Sequence, residues 1–341
     1  MKRIKKLSTP PRFLSHSAVG GYEEKHGPLG RFFDFCDESD SFGQKTWEMS
    51  EGEMGRCALN IALTKENLSH DKLNLLIAGD LQNQCVASSV GLDSFGIPFL
   101  GIYGACSTCT EGLLILSSMI ECGAVSTGAC VTTSHNSAAE RQFRTPLEYG
   151  GQRTPSAQWT ATAAGAFILT RDEELVRKSE WGNVEISDFM IGKIVDGATS
   201  DASNMGAAMA FAAAESIIDY FSESDMRPRD FDHIVTGDLG KVGSDILRSI
   251  LNERLPAATP RHLDCGMLLY DMKNKDVHAG ASGCGTSASV LSSYFLPKLK
   301  NGDIHNILFL STGALMSPSS VLQGNTIKGI APIIHIQTLC E

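Results

Sequence analysis

No run of 18 or more apolar residues occurs in the 341-residue chain, so no membrane-spanning helix is predicted. Positive charge is in short supply. Lys and Arg number 29 against 39 Asp and Glu, and the net charge of -10 argues against nucleic acid or an anionic membrane surface as the main partner. Met1 to Leu7 is basic, but Ser8-Thr9-Pro10-Pro11 follows where an apolar segment would have to stand, so no secretory leader is expected. Neither a linker nor a low-complexity stretch divides the chain.

Cysteine is plentiful, at ten, but no compact spacing links Cys36, Cys57, Cys85, Cys106, Cys109, Cys122, Cys130, Cys265, Cys284 and Cys340. Several lie inside apolar runs and read as small buried hydrophobes in a reducing compartment. Cys106 to Cys109 forms one Cys-x-x-Cys, but no second such pair and no His-x-x-x-His follows, so no metal and no cofactor is predicted. A thiol–disulfide oxidoreductase is a weak reading of the same pair, because the chain is far longer than a simple redox domain.

What the chain has is glycine, 33 residues, and an internal repeat. Met54-Gly55 opens one helical pattern and Met205-Gly206 another. Gly79-Asp80-Leu81 follows one apolar strand pattern and Gly237-Asp238-Leu239 a second. Cys106-Ser107-Thr108 is matched by Cys284-Gly285-Thr286, and Ser126-Thr127-Gly128-Ala129 by Ser311-Thr312-Gly313-Ala314. The four matches keep one order. Their offset grows from 151 residues at Met54 and Met205 to 185 at Ser126 and Ser311, as loop insertions would produce. This is a duplication of about 150 residues, dividing the chain into 1–185 and 186–341. Each half alternates strands and helices, which predicts an α/β fold with two mostly parallel sheets and the central helices buried between them.

Pro98 to Tyr103 reads as a strand, Gly104 to Ser107 as a turn, and Thr108 onward as a helix. Cys106 therefore stands at a helix amino terminus, where unpaired N–H groups favour a thiolate. That is the geometry a nucleophile needs, and equally that of a small residue in a tight crossing.

Gly104-Ala105-Cys106-Ser107-Thr108 resembles the active-site cysteine turn of the thiolases and ketoacyl synthases. Met54 to Leu59 and Leu75 to Gly79 resemble the preceding helix and strand of the ketoacyl synthase III branch. Thr162-Ala163-Ala164-Gly165-Ala166, Gly285-Thr286-Ser287-Ala288-Ser289 and Ser311-Thr312-Gly313-Ala314 resemble its later glycine-rich segments. The resemblance implies a thiolase-like, five-layered αβαβα fold and a homodimer paired through the strand Ala124 to Thr132. It also exposes what is missing. The stretch that should carry a catalytic histidine reads Thr236-Gly237-Asp238-Leu239-Gly240, and Gly285 replaces the asparagine of Gly-Asn-Thr-Ser-Ala. His278 only approximates a thiolase histidine motif. Two of three catalytic roles are empty, so a ligand binder is expected. The alternative is an active condensing enzyme, a ketoacyl synthase III-like acyltransferase using Cys106.

Gly150 to Thr160, with the basic start, is similar to the stage V sporulation branch of this superfamily in endospore-forming bacteria. That resemblance implies binding of dipicolinic acid or its calcium chelate, and support of its uptake into the forespore and release at germination. It implies membrane-embedded stage V partners and a peripheral place on the cytoplasmic side of the forespore or spore inner membrane. The ligand carries two carboxylates and the protein is acidic, so the site must be locally basic or the ligand must arrive neutral. Candidate ligand residues are Cys106 as a vestigial nucleophile, Ser107 and Thr108 at the helix amino terminus, and Arg153, Gln158 and Thr160. His278 and the second turn, with Cys284 and Ser287, complete the set. Arg141, Arg144, Lys193 and Lys241 are further cations.

Overall fold

A computed structural model describes residues 3–144, 152–273 and 276–339. The first half contributes β1 (Arg12–Gly20), β2 (Leu75–Gly79), β3 (Phe99–Gly101), β4 (Thr127–Ser134) and β5 (Ala163–Thr170). The second contributes β6 (Val184–Met190), β7 (His233–Thr236), β8 (His262–Asp264), β9 (Asn306–Leu310) and β10 (Ile333–Thr338). In space the first set runs β3-β2-β4-β5-β1 and the second β8-β7-β9-β10-β6. Numbered within each half, both orders are third, second, fourth, fifth, first.

The pairing senses also repeat. The outer three strands of each half are parallel. The fourth, fifth and first pair antiparallel. The sheets are thus mixed, parallel only in their outer strands, where the sequence pattern suggested mostly parallel ones. They meet at a single pairing, Arg12 with Glu185, which joins them in one continuous path.

Period-two alternation builds the layers. On β2, Leu75 and Ile77 face one core while Leu76 and Ala78 face another. On β9, Ile307 and Phe309 share the first of these cores, and Leu308 and Leu310 enter a third. The shared core is the middle of the molecule. It holds α3 (Thr108–Glu121), through Leu113, Leu116 and Ile120, and α7 (Cys284–Val290), through Ala288 and Val290. The outer cores hold α1 (Trp47–Lys65), through Met54, Ala58 and Ala62, and α5 (Met205–Glu223), through Met209, Ala213 and Ile217. The result is αβαβα.

In each half the first long helix crosses the next at a glycine pair. Gly52 of α1 meets Gly91 of α2 (Val86–Leu92), and Gly206 of α5 meets Gly243 of α6 (Gly240–Arg254). A Cβ on Gly91 would lie 2.1 Å from the Gly52 carbonyl oxygen, so the crossing excludes any side chain. The first-half residue that plays the part of Gly206 is therefore Gly52, just under one turn before Gly55. Strand β4, on which a dimer contact was expected, is interior, paired on both sides by β2 and β5. The free edge of the first half is β3, with Phe99 and Leu100 exposed.

Candidate functional site

Cys106 and Cys284 occupy equivalent places, each at the start of the helix between the third and fourth strands of its half. Cys106 sits in a single 3₁₀ turn, Ala105–Ser107, ahead of α3. Ala105 has φ +53°, a left-handed conformation that costs a residue with a Cβ on the order of 1–2 kcal/mol. The strain delivers the Cys106 side chain to the floor of a cavity of about 340 Å³, within the usual small-molecule range.

The cavity walls are apolar and come from segments distant in sequence: Leu81, Phe143, Met205, Leu315 and Met316, with Ala139 and Ala314 between them. Polar groups reach it from Tyr103, Thr160, Ser282, Ser317 and Ser320. Among the described residues that line it, none is Lys, Arg or His, and Glu140 is the single acid.

Behind the thiol lies a carboxylate that the sequence reading missed. Asp238 is fully buried and accepts hydrogen bonds from the Gly283 N–H at 2.8 Å and the Thr312 hydroxyl at 3.1 Å. The Cys106 thiol lies in the field of the same carboxylate. Burial first, then the Asp238 charge, push the thiol well above its ordinary range. Burial also lifts Asp238 to about 7. The signal was present in the repeated Gly-Asp-Leu, since Asp238 occupies the stretch where a histidine was sought. Its counterpart Asp80 is likewise buried, raised by desolvation, and adds its charge to the surroundings of Cys284.

Position 285 cannot carry the missing amide. A Cβ on Gly285 would fall 2.1 Å from the Ala163 carbonyl oxygen and 2.6 Å from Ser134 Oγ. The oxyanion-stabilising side chain of a condensing enzyme has no room there.

Of the nine candidate residues, the structure brings Cys106 and Thr160 to the cavity. Ser107 and Thr108 are fully buried and turn back on their own turn. The Ser107 hydroxyl lies 2.5 Å from Gly104 O and 2.6 Å from Glu111 Oε1, and the Thr108 hydroxyl bonds Ala105 O at 2.7 Å. Glu111, in the first turn of α3, thus occupies the Ser107 hydroxyl that was a candidate for the ligand. A bulky residue at 107 or 108 would strain the core rather than fill the cavity.

Gln158 donates from Nε2 to Asp238 O and Ala281 O, both at 2.7 Å, so it positions the Asp238 turn from behind. Arg153 spends its guanidinium on Asp276 O at 2.9 Å and Gln158 O at 2.5 Å, stacked on Trp159, and is not a cavity residue. His278 pairs with Asp276 at 2.5 Å and does not line the cavity. Cys284 donates to Thr133 O and Ser287 to Cys284 O, both within the core.

Arg141, on α4 (Asn136–Arg144), pairs with Glu48. Lys193 and Lys241 pair with Asp219 and Asp245. Gly150, Gly151, Cys340 and the Arg144 side chain lie outside the described residues.

This arrangement of two equivalent five-stranded sets around a cysteine turn defines a thiolase-fold protein. Solved structures agree on the fold: 3-oxoacyl-[acyl-carrier-protein] synthase III from Aquifex aeolicus matches with TM-score 0.58 at 14% identity, over 95% of this chain and 99% of its own. A variant of OleA from Xanthomonas campestris matches with TM-score 0.62 at 14% identity, over 98% and 100%. The family model of stage V sporulation protein AD matches residues 1–337. Stage V sporulation protein AD of Bacillus subtilis is 39% identical over 317 residues, 93% of this chain and 91% of the relative. The chain belongs to the stage V sporulation protein AD family. No described helix is long and apolar enough to cross a membrane.

Proposed function

We propose that this sporulation protein binds dipicolinic acid in the cavity above Cys106 and catalyses no acyl transfer. The observation that carries the reading is the Cys106–Asp238 pair. A buried thiol in the field of a buried carboxylate holds its proton, and a protonated thiol is a poor nucleophile. With no room for an amide at Gly285 and no imidazole among the described residues lining the cavity, the amide and imidazole donors that stabilise an enolate or thioester oxygen in a condensing enzyme are missing from their places. What remains is a pocket of small-molecule size.

The lining also bears on the form of the ligand. A dianion would enter an apolar cavity with no cation among its described lining residues to meet it, at high desolvation cost. The neutral calcium chelate avoids that cost, and the hydroxyls of Ser282, Ser317 and Ser320 can serve its outer oxygens. The protein is then a carrier or receptor for the chelate, supporting its uptake into the forespore and its release at germination. Membrane-embedded stage V proteins hold it peripherally at the cytoplasmic side of the forespore or spore inner membrane. We place a homodimer contact on the exposed β3 edge, whose unpaired backbone groups and exposed Phe99 and Leu100 suit strand addition by a second copy.

The test is calorimetric titration with dipicolinate, with and without calcium, beside intact-mass analysis after incubation with acyl-CoA. Saturable, calcium-enhanced binding with no adduct on Cys106 is expected. An acyl adduct that turns over would overturn the proposal.

A further inference from the structure

The two five-stranded sets meet at the Arg12–Glu185 pairing. Away from it, β1 carries His16 into the lining of a second cavity, of about 280 Å³, together with Lys65, Trp181, Ser292 and Lys300. His16 is 4% exposed. Its Nδ1 lies 2.8 Å from Ser292 Oγ, while its buried Nε2 has no hydrogen-bond partner. Leaving a buried polar nitrogen unsatisfied is costly, and such groups in a folded protein call for an explanation. The imidazole stands edge-on to Trp181, ring centroids 4.2 Å apart at 87°.

Two ammonium groups set the charge of this cavity. Lys65 Nζ lies 2.9 Å from the His16 carbonyl oxygen and 2.7 Å from Asp34 Oδ1. Lys300 Nζ lies 4.8 Å from the Trp181 ring centroid and 2.6 Å from Glu180 Oε2. The Glu180 side chain is 82% exposed and does not line the cavity, so it can yield to a ligand at little cost. Of the lining acids only Asp34 remains, against two cations. Both lysines, after burial, push the His16 imidazole toward its neutral form, which places their positive field at its ring. In a chain of net charge -10, an open-mouthed cavity lined by two lysines beside an unsatisfied buried nitrogen contrasts with the cavity at Cys106, where no described lining residue is a cation.

The geometry points to a second ligand site for a small flat carboxylate, its anionic group toward Lys65 and Lys300 and its body against Trp181, beside the His16 ring. Opposite charge and a flat aromatic wall are what such a ligand requires. The site is separate from the cavity above Cys106 and does not depend on the reading given to it.

The experiment uses the full chain labelled with ¹⁵N and titrates it with benzoate and, separately, inorganic phosphate. The readouts are the His16 imidazole nitrogens and the Trp181 indole N–H. Saturable benzoate binding that shifts both residues is expected. It should weaken about tenfold or more in Lys300→Gln, from loss of a charge-assisted bond, and stay unchanged in Ala139→Phe, which alters the other cavity. Lys65→Gln should behave as Lys300→Gln does, and Lys300, whose ion-pair partner Glu180 is exposed, keeps the test valid should Lys65→Gln fold poorly. Phosphate binding tighter than benzoate would remove the flat carboxylate as the ligand class. No saturable shift with either probe, or affinities unchanged in Lys300→Gln, would overturn the site.

Discussion

The thiol of Cys106, from the first half of the duplication, lies in the field of the buried carboxylate of Asp238, from the second. A group that withholds a proton from solution reacts slowly with electrophiles. We expect Cys106 to resist iodoacetamide at neutral pH, when peptide mapping after alkylation follows it against the exposed Cys122. Asp238→Asn removes the charge and should speed alkylation of Cys106 by about tenfold, the equivalent of one pK unit. Rapid alkylation of Cys106 in the unmodified chain would contradict the pairing.

Burial lifts two carboxyls, Glu24 and Asp238, to about 7. In the unfolded chain both titrate near ~4. The native state therefore keeps protons that the unfolded state has released. The stabilisation is full below about pH 4 and is lost as pH rises through about 7. The buried histidines His16 and His262, held neutral chiefly by burial, act in the opposite sense, but only below about pH 6.5. Between about pH 6.5 and 8 the unfolding free energy read from urea titration, and with it the midpoint, should fall, by less than about 1.4 kcal/mol per pH unit for each titrating group and with a slope that fades above about pH 7. Asp238→Asn should flatten the slope. A midpoint that rises over this window would show that these carboxyls are ionised in the fold.

The cavity closes from its walls, not from the cysteine turn. Ala139 and Ala314 line it with side chains small enough to be enlarged inward. Ala139→Phe should abolish dipicolinate binding while costing at most about 1–3 kcal/mol of stability. Calorimetric titration and thermal melting separate the two effects. Binding that survives both Ala139→Phe and Ala314→Phe would move the ligand elsewhere.

The β3 edge should carry the dimer. Leu100→Lys places like charges opposite each other across a two-fold strand pairing. Sedimentation should report a dimer for the unmodified chain and a monomer for the variant. A dimer that persists unchanged would assign the contact to another face.

The duplication was legible because its markers sit where backbone geometry demands them: the Gly-Asp-Leu turns, the cysteine turns and the paired Ser-Thr-Gly-Ala strands. The order of strands within each half was not, since short apolar runs such as Leu75 to Ala78 do not reveal which neighbour they pair with. The placement of β4 at an edge failed for that reason. Cys106 was legible from its strand-turn-helix setting. Asp238 was read as a lost histidine because only its identity was compared; its burial against a cysteine 132 positions earlier arises from the packing of the two halves. Arg153 was chosen for its charge, yet the backbone carbonyls of Asp276 and Gln158 were nearer partners than any ligand. The cavity walls could not be read at all, since Leu81, Phe143, Met205 and Leu315 belong to four separate segments.

The central claim is that the thiolase cavity has been kept for binding after the loss of its chemistry. Calorimetric titration of the full chain with dipicolinate in the presence of calcium, repeated on Ala139→Phe, tests it most directly. The account predicts saturable binding at one site per chain in the unmodified protein and none in the variant. Equal binding by both, or no binding by either alongside acyl-CoA turnover at Cys106, would contradict it.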